Sequence, residues 1–256
     1  MFANTAGGRL AKAIWLAPGD RNPYRLANGM KRFKPLPRSF YEPSATIVAP
    51  ALLGHWLIRI TPQGPCGGPI VETEAYLKGD PACHAARGLT PRTRVMFGPP
   101  GHAYVYFIYG NHFCVNAVCQ PEGIAEAVLI RALEPRFGEE FMSARRGACA
   151  IHNLTNGPGK LCAAMNIDRT LDGADLCEKG SPLMIAQNPD RDRFLIASGP
   201  RVVTTRVGIT LAAELPLRFY LKGSQFVSRP LAQTRVRSPS VARERNRATP
   251  PGNGGR

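Results

Sequence analysis

The spacing of β-prone segments constrains the fold of this chain more than any other feature of its sequence. Residues 70–76, 102–109, 113–119 and 127–133 are short runs rich in β-branched and aromatic side chains. The later runs follow one another at intervals typical of hairpins, and no regular alternation of strands with helices occurs. The sequence therefore predicts a mixed α/β (α+β) fold, a single domain with a mostly antiparallel curved sheet and flanking helices.

Shorter patterns complete the predicted architecture. Residues 44–53 and 137–146 are predicted helices, and Ser44 is the candidate N-cap of the first, which Pro50 is expected to kink or break. Residues 78–102 show no periodicity and are predicted to form a long ordered loop, a feature that is usually functional in compact domains. The remaining predicted elements are a turn at residues 62–69 and strands at residues 55–60, 202–210 and 217–221.

The formal net charge of +15 is concentrated at the two ends of the chain. Residues 1–38 hold eight basic residues and one acidic residue, and residues 229–256 hold seven and one. Because both ends are also rich in turn-forming residues, we predict a basic, disordered extension at residues 1–35, a globular domain at 36–230 and a basic, disordered tail at 231–256. Such tails add salt-dependent affinity for phosphate, but solvated ends without a specific role explain the composition equally well.

Several protein classes are disfavoured by what the sequence lacks. No run of about 18 apolar residues occurs, and the apolar stretch near the N-terminus is too short for a secretory signal. We therefore expect a cytoplasmic protein, associated with the nucleoid if the host is bacterial. The seven cysteines include no CxxC pair, which favours reduced, mostly buried thiols over a metal site. No GxSxG, HExxH or GxGxxG motif occurs, so the common hydrolase, zinc-protease and dinucleotide signatures are missing.

Ionisable and aromatic side chains cluster within residues 71–116. Glu72, Glu74 and Tyr76 alternate along a predicted strand and therefore share one face. Two carboxylates on one buried face repel each other, so one of them must lie at a wet edge, pair with a base or have a raised pKa. Arg131 is the candidate partner. The alternative interpretation is an exposed strand face with ordinary surface glutamates.

The tyrosines of the same window have two interpretations. Tyr104, Tyr106 and Tyr109 fall within six residues, and packing in the core is the commoner fate of aromatic residues on strands. If the strands of Tyr76 and Tyr106 are neighbours, however, Glu74 falls between two aromatic walls. Such walls stack flat bases, and they also attract a base that carries positive charge.

Several long motifs occur in a fixed order between residues 36 and 230. They are VETEAY, ACHAARG, TPRT, VMFGPPGHAYVYFIYG, LIRALEP, TNGPGKLC and LRFYLKGS. Together they resemble the alkyladenine (3-methyladenine) DNA glycosylase family. The resemblance implies a single-domain base-excision repair enzyme that needs no metal or cofactor, acts as a monomer on damaged double-stranded DNA and has no membrane association. One departure is the loop at residues 77–81, which is one residue shorter than the usual form.

The resemblance also implies roles for individual residues. Glu74 activates the attacking water, and Arg131 helps to orient it. Tyr109 wedges into the duplex at the gap that the flipped base leaves. The positions that enclose the flipped base are Tyr76, His84 and Tyr106, and Asn116 lines the pocket and helps to reject normal guanine. The positions that match DNA contacts are Thr90, Met96 and Lys160.

The sequence thus predicts hydrolysis of the N-glycosidic bond of alkylated or deaminated purines that are flipped out of duplex DNA, which leaves an abasic site. No lysine lies in the aromatic strands, so no Schiff-base lyase step is expected. Two other classes stay open: a noncatalytic DNA-binding protein with the same aromatic groove, and a hydrolase of free nucleosides.

Overall fold

A computed structural model describes residues 33–108 and 110–230 of the chain. The tail predicted at residues 231–256 and most of the predicted N-terminal extension lie outside these ranges. The helices are α1 (Ala45–Leu52), α2 (Glu139–Arg146), α3 (Pro158–Met165) and α4 (Arg191–Ala197). The strands are β1 (Trp56–Thr61), β2 (Gly64–Tyr76), β3 (Ala103–Ile108), β4 (His112–Cys119), β5 (Glu126–Leu133), β6 (Leu183–Ala186), β7 (Arg201–Thr204) and β8 (Arg218–Leu221). None of the described helices has the length and apolar character needed to cross a bilayer.

The eight strands in the described part of the chain belong to one open sheet. Six of them lie in the order β3-β4-β5-β2-β1-β6, while β8 pairs with β2 and β7 pairs with β8. Every pairing among the described strands is antiparallel. The predicted fold class, a mixed α/β domain with an antiparallel sheet and flanking helices, is confirmed.

Strand β2 is the centre of the sheet because it changes partners along its length. Its first half pairs with β1, from Gly64 opposite Thr61 to Pro69 opposite Trp56. Its second half lies between β5 and β8, with Glu74 opposite both Leu129 and Arg218. The carboxylates of β2 are therefore flanked by strands on both sides.

Two compensating bulges interrupt the ladder between β2 and β5. Glu72 pairs with Ala132 and Thr73 pairs with Ile130, so Arg131 is an extra residue on β5. Between Ile70 and Glu72 the register shifts in the opposite sense. Bulges bend a strand and re-aim side chains, and they are frequent next to active sites. Here the extra residue is the arginine that reaches the two glutamates of β2.

The sheet separates two hydrophobic clusters, which follow the alternation of side chains along each strand. One face packs on the main core, where Val105, Val115 and Ile130 join residues of α1 and α3. The opposite face forms a smaller cluster that is rich in aromatic residues and includes Tyr104 and Tyr106. We call this second face the aromatic face; the glutamates of β2 belong to it, because they alternate with residues of β2 that face the main core.

Several predicted elements have different boundaries in the structure. Ser44 caps α1 as predicted, and its side chain accepts from the amide of Thr46, but Pro50 lies inside the helix without ending it. The turn predicted at residues 62–69 is much shorter, because β2 already begins at Gly64. The strand predicted at residues 202–210 ends at Thr204.

Close approach of two chain segments explains why a glycine occupies position 68 in β2. A Cβ atom built on Gly68 would lie 1.9 Å from the carbonyl oxygen of Glu134. We expect Gly68→Ala to lower the free energy of unfolding by about 1–3 kcal/mol, because the backbone must move to relieve the overlap. Urea denaturation of wild type and variant measures this loss. As the matched control, Gly98→Ala meets its nearest atom only at 3.3 Å and should cost less; equal losses would contradict the prediction.

Candidate active site

A cavity of about 460 Å³ opens on the aromatic face of the sheet. Strands β2 to β5 form its floor. The loop before β3, the first turn of α3, residues 207–209 and residues 228–229 surround it. Eight of the predicted site residues come together here, seven of them in the cavity wall and Glu74 directly behind it. The wall residues are Tyr76, His84, Met96, Tyr106, Asn116, Arg131 and Lys160.

Three aromatic rings form one side of the cavity. The rings of Tyr104 and Tyr106 have centroids 5.3 Å apart, and the ring of His84 stands nearly edge-on to Tyr106 at 4.4 Å. Nδ1 of His84 lies 3.0 Å from the hydroxyl of Tyr104. The short loop that precedes His84 therefore still brings this histidine against the tyrosines.

The histidine of this wall is neutral at physiological pH. Burial and the nearby guanidinium of Arg92 lower the pKa of His84 to about 4. The guanidinium carbon of Arg92 also lies 5.6 Å from the ring centroid of Tyr106. A neutral imidazole stacks on and hydrogen-bonds to a ligand without repelling a positively charged one.

Tyr76 of β2 lies between Glu74 and the cavity. Its strand is not adjacent to β3, the strand that contains Tyr106. Strands β4 and β5 separate β2 from β3. Tyr76 and Tyr106 nevertheless line the same cavity, because their side chains project from the same face of the sheet. The hydroxyl of Tyr76 donates to Oε2 of Glu74 at 3.0 Å.

The carboxylate of Glu72 is fully buried and saturated with hydrogen bonds. Its Oε1 accepts from Nε of Arg131 at 2.8 Å, from Nε of Arg218 at 2.7 Å and from the hydroxyl of Ser228 at 2.8 Å. Its Oε2 accepts from the backbone amide of Ser228 at 2.6 Å. Burial opposes ionisation, but the two guanidiniums and the Ser228 bonds outweigh it and hold the pKa of Glu72 below its usual range.

Glu74 is equally buried but has weaker electrostatic support. Its Oε1 accepts from the amide of Val207 at 2.7 Å, and Nη1 of Arg131 lies 3.2 Å from its Oε2. Burial is the largest influence and raises the pKa of Glu74, although Arg131, Val207 and Tyr76 act in the opposite direction. The two carboxylates of β2 thus have pKa values shifted in opposite directions, a pattern typical of sites that need one fixed charge and one exchangeable proton.

Arg131 links the two carboxylates through separate nitrogens. Besides its bonds to Glu72 and Glu74, its Nη2 donates to the hydroxyl of Ser228 at 3.1 Å. The side chain is 7% exposed and lines the cavity. The predicted pairing of Arg131 with the β2 glutamates is therefore present, and its predicted role with water stays a prediction.

The remaining predicted residues occupy different parts of the site. Asn116 is buried in the cavity wall and donates to the carbonyl of Tyr104 at 3.0 Å. Met96 is 2% exposed and packs in the aromatic cluster. Lys160 lines the cavity from α3 and donates to Oδ1 of Asn156 at 2.8 Å. Thr90 is exposed on the loop and does not line the cavity. Tyr109 lies outside the described residues.

Several site residues escaped the sequence analysis. Arg218 is the single charge in the apolar strand β8, the same signal that indicated Arg131, so the pattern was present in the sequence. Arg206 lies in a loop where a basic residue is unremarkable in sequence. Val207 and Ser228 contribute backbone amides, and the residue type gives no sign that a backbone amide will bind a carboxylate. In the described part of the chain, no group of three or more His, Cys, Asp or Glu side chains is arranged to hold a metal ion.

Comparisons with known proteins agree with this geometry. A family model described as methylpurine-DNA glycosylase matches residues 39–225. A protein of Methanoculleus marisnigri, named as a predicted 3-methyladenine DNA glycosylase, is 53% identical over 197 residues, which cover 76% of this chain and 98% of that protein. Proteins of the same name from Carboxydothermus hydrogenoformans and Mesorhizobium japonicum are 49% and 46% identical over 194 and 196 residues. These matches cover 76% and 77% of this chain and 98% and 91% of those proteins.

These similarities extend over nearly the whole length of the relatives and over the part of the chain that contains the sheet and the cavity. They confirm the family resemblance that the motifs indicated. The chain therefore belongs to the methylpurine-DNA glycosylase family.

Proposed function

We propose that this protein is a monofunctional DNA-3-methyladenine glycosylase of base-excision repair. It flips alkylated or deaminated purines out of duplex DNA and hydrolyses their N-glycosidic bond, which leaves an abasic site. The observation that carries the proposal is the buried carboxylate of Glu74 with a raised pKa, immediately behind the wall of an aromatic cavity.

A carboxylate at this point supplies what hydrolysis of a glycosidic bond needs. Water is a poor nucleophile, so a general base must take its proton as it attacks. In the proposed reaction, the water oxygen bonds to the anomeric carbon while the bond from that carbon to the base breaks. The water proton passes to Glu74, and the base departs with the bonding electron pair. The negative charge of Glu74 also stabilises the positive charge that develops on the sugar.

The fixed pair of Glu72 and Arg131 supports this role of Glu74. Because Glu72 stays ionised, it holds the guanidinium of Arg131 at the floor of the cavity, where Nη1 faces Glu74. Arg131 thereby limits how far burial raises the pKa of Glu74. It is also the candidate for orienting the attacking water, since its guanidinium borders the cavity.

The aromatic wall is suited to hold the flipped base. We propose that Tyr76, His84 and Tyr106 enclose it, and that Asn116 disfavours normal guanine. Bases stack on aromatic faces, and a methylated base with positive charge gains an additional cation–π attraction. The neutral imidazole of His84 adds no repulsion to such a base.

The loop in front of the cavity is suited to bind the DNA backbone. Arg87, Arg92 and Arg94 are exposed on it, and phosphates are the natural partners of such a cluster. We propose that Thr90, Met96 and Lys160 also contact the DNA near the flipped nucleotide. Tyr109 falls in the connection between β3 and β4, and we propose it as the wedge that fills the gap in the duplex.

The role of Glu74 leads to the first prediction for activity. Glu74→Gln should retain binding to a duplex with one hypoxanthine but lower the single-turnover excision rate by about 100-fold or more, because the amide cannot accept the water proton. Strand breaks that appear only after alkali, and only with wild type, measure excision without a lyase step. Borohydride treatment should trap no covalent complex between enzyme and DNA.

Glu72→Gln is the comparison variant for stability, because it removes the charge that holds Arg131 and leaves Glu74 in place. Removing one member of this buried ion cluster should cost about 3–5 kcal/mol of unfolding free energy, whereas Glu74→Gln should unfold near the wild-type midpoint.

Excision by Glu74→Gln near the wild-type rate would overturn the assignment of the base. Binding of the lesion duplex by wild type without any excision would instead indicate a noncatalytic protein. If the protein hydrolysed free nucleosides and had no affinity for DNA at low salt, it would instead be a nucleoside hydrolase.

The pH dependence of excision follows from the raised pKa of Glu74. Only the ionised carboxylate accepts a proton, so the rate should fall as the pH drops through the pKa of Glu74. Because burial raises this pKa, the midpoint of the acid limb of the pH–rate profile should lie above about 4.3, the pKa of an ordinary glutamate. Single-turnover rates on a hypoxanthine duplex between about pH 4 and about pH 8 test this, with circular dichroism to verify folding at each pH. An acid limb at or below the ordinary value would contradict the assignment.

Tyr109→Ala tests the proposed wedge. The variant should bind a hypoxanthine duplex more weakly than wild type, because nothing fills the gap when the base flips. On a duplex with an abasic-site analogue, the difference in affinity between variant and wild type should be much smaller, since that site has no base to extract from the stack. Fluorescence anisotropy with both duplexes gives the two ratios, and equal losses on both would argue against a wedge.

A further inference from the structure

A buried ion pair outside the strands lies beside the site without an assigned role. The side chains of Arg206 and Asp80 form a salt bridge and are 0% and 2% exposed. Neither residue belongs to the sheet: Asp80 lies in the loop after β2, and Arg206 follows β7. Burying two charges is costly, and such a pair often contributes little net stability compared with apolar residues. The location of the pair therefore suggests a role in positioning its neighbours.

The guanidinium of Arg206 joins three segments of the chain. Its Nη1 donates to the carbonyl of Ala75 in β2 at 3.1 Å. Its Nη2 donates to Oδ1 of Asp80 at 3.1 Å and to the carbonyl of Ala212 at 3.3 Å. Its central carbon also lies 4.7 Å from the ring centroid of Tyr76, in cation–π geometry. The loop after β7 is thus fixed against β2 at the residue that precedes Val207.

Among the described residues, three groups contact Glu74, and two of them are adjacent to Arg206. The amide of Val207, which donates to Oε1 of Glu74, is the next peptide after Arg206 in the chain. The hydroxyl of Tyr76, which donates to Oε2 of Glu74, belongs to the ring on which Arg206 stacks. The third contact comes from Arg131 of β5.

We propose that Arg206, held by Asp80, is a positioning residue that fixes the Val207 amide and the Tyr76 ring around Glu74. The inference rests on the proposed role of Glu74 as the base. Without this guanidinium, the loop no longer holds the Val207 amide against Oε1, and the wall formed by Tyr76 loses its support on one face. Both the orientation of the carboxylate and its proton affinity then change.

The proposal predicts a change in pH dependence that general destabilisation does not produce. Each hydrogen bond to a carboxylate, and each nearby positive charge, favours the ionised form. Losing the Val207 bond or the charge of Arg206 should therefore move the acid limb of excision to higher pH. The charged and titratable groups that surround Glu74 are Glu72 and Tyr76 on β2, Cys114 on β4, Arg131 on β5, Arg206 itself, and Arg218, which binds Glu72 from β8.

The experiment compares Arg206→Gln, Arg206→Lys and the control Arg191→Gln on a hypoxanthine duplex. Arg191 donates to the carbonyls of Leu53 and Ala51 at the end of α1, so its loss removes similar bonds outside the cavity. Arg206→Gln should lower the single-turnover rate about 10- to 100-fold, as small misplacements of catalytic groups do. It should also move the acid limb of the pH–rate profile to higher pH. Arg206→Lys restores the charge but not the fork of hydrogen bonds, and should recover part of both effects. Arg191→Gln should change neither quantity.

The outcomes separate this inference from the proposed function. If wild type excises hypoxanthine, Glu74→Gln does not, and Arg206→Gln keeps both the wild-type rate and the wild-type acid limb, Arg206 has no positioning role. A lower rate with an unchanged acid limb, seen equally in Arg191→Gln, would also overturn the inference and assign Arg206 to the stability of the fold alone. Excision that persists in Glu74→Gln would instead remove the proposed function on which the inference rests. Should Arg206→Gln not fold, Arg206→Lys gives the test alone: a lower rate with the acid limb at higher pH supports the positioning role, and wild-type values of both overturn it.

Discussion

The hydrogen bonds of Glu72 are the interaction on which the aromatic face of the sheet depends. One buried carboxylate accepts from Arg131 of β5, from Arg218 of β8 and twice from Ser228, so it connects three strands and a loop. A charge in this environment is stable only if every partner is present, because an unpaired ion in the interior costs several kcal/mol. The bulge at Arg131 fits this requirement, since it supplies the extra residue that reaches the glutamates.

Because Glu72 takes the closer contacts of the nearby guanidiniums, Glu74 interacts more weakly with positive charge. Arg218 is committed to Glu72, and Arg131 gives its closer contact to Glu72 as well, at 2.8 Å against 3.2 Å. Burial therefore dominates for Glu74 and raises its pKa. Two carboxylates two residues apart on one strand thus acquire different chemistry from their partners alone. One holds the architecture, and the other retains the proton affinity that a general base needs.

Sequence periodicity predicted what depends on side-chain alternation. It placed Glu72, Glu74 and Tyr76 on one face, identified Arg131 as their partner, and gave the antiparallel fold. It failed where tertiary contacts decide the backbone. The strand predicted at residues 202–210 ends at Thr204, where its pairing with Arg218 of β8 ends, and Arg206 then contacts Asp80 in the following loop. The walls formed by Tyr76 and Tyr106 belong to strands separated by two others, and local patterns contain no information about the order of strands in a sheet.

The same limit explains why loops complete this site. Amides within a sheet are engaged in the ladder between strands, so a strand offers its side chains to a buried carboxylate but has few free N–H groups. Here both carboxylates accept from amides outside the sheet, Glu74 from Val207 and Glu72 from Ser228. Those amides bind only while their loops are held in place, and irregular backbone has no ladder to hold it. Buried side chains that fasten a loop to a strand, as Arg206 does, are therefore part of what fixes the electrostatics of Glu74.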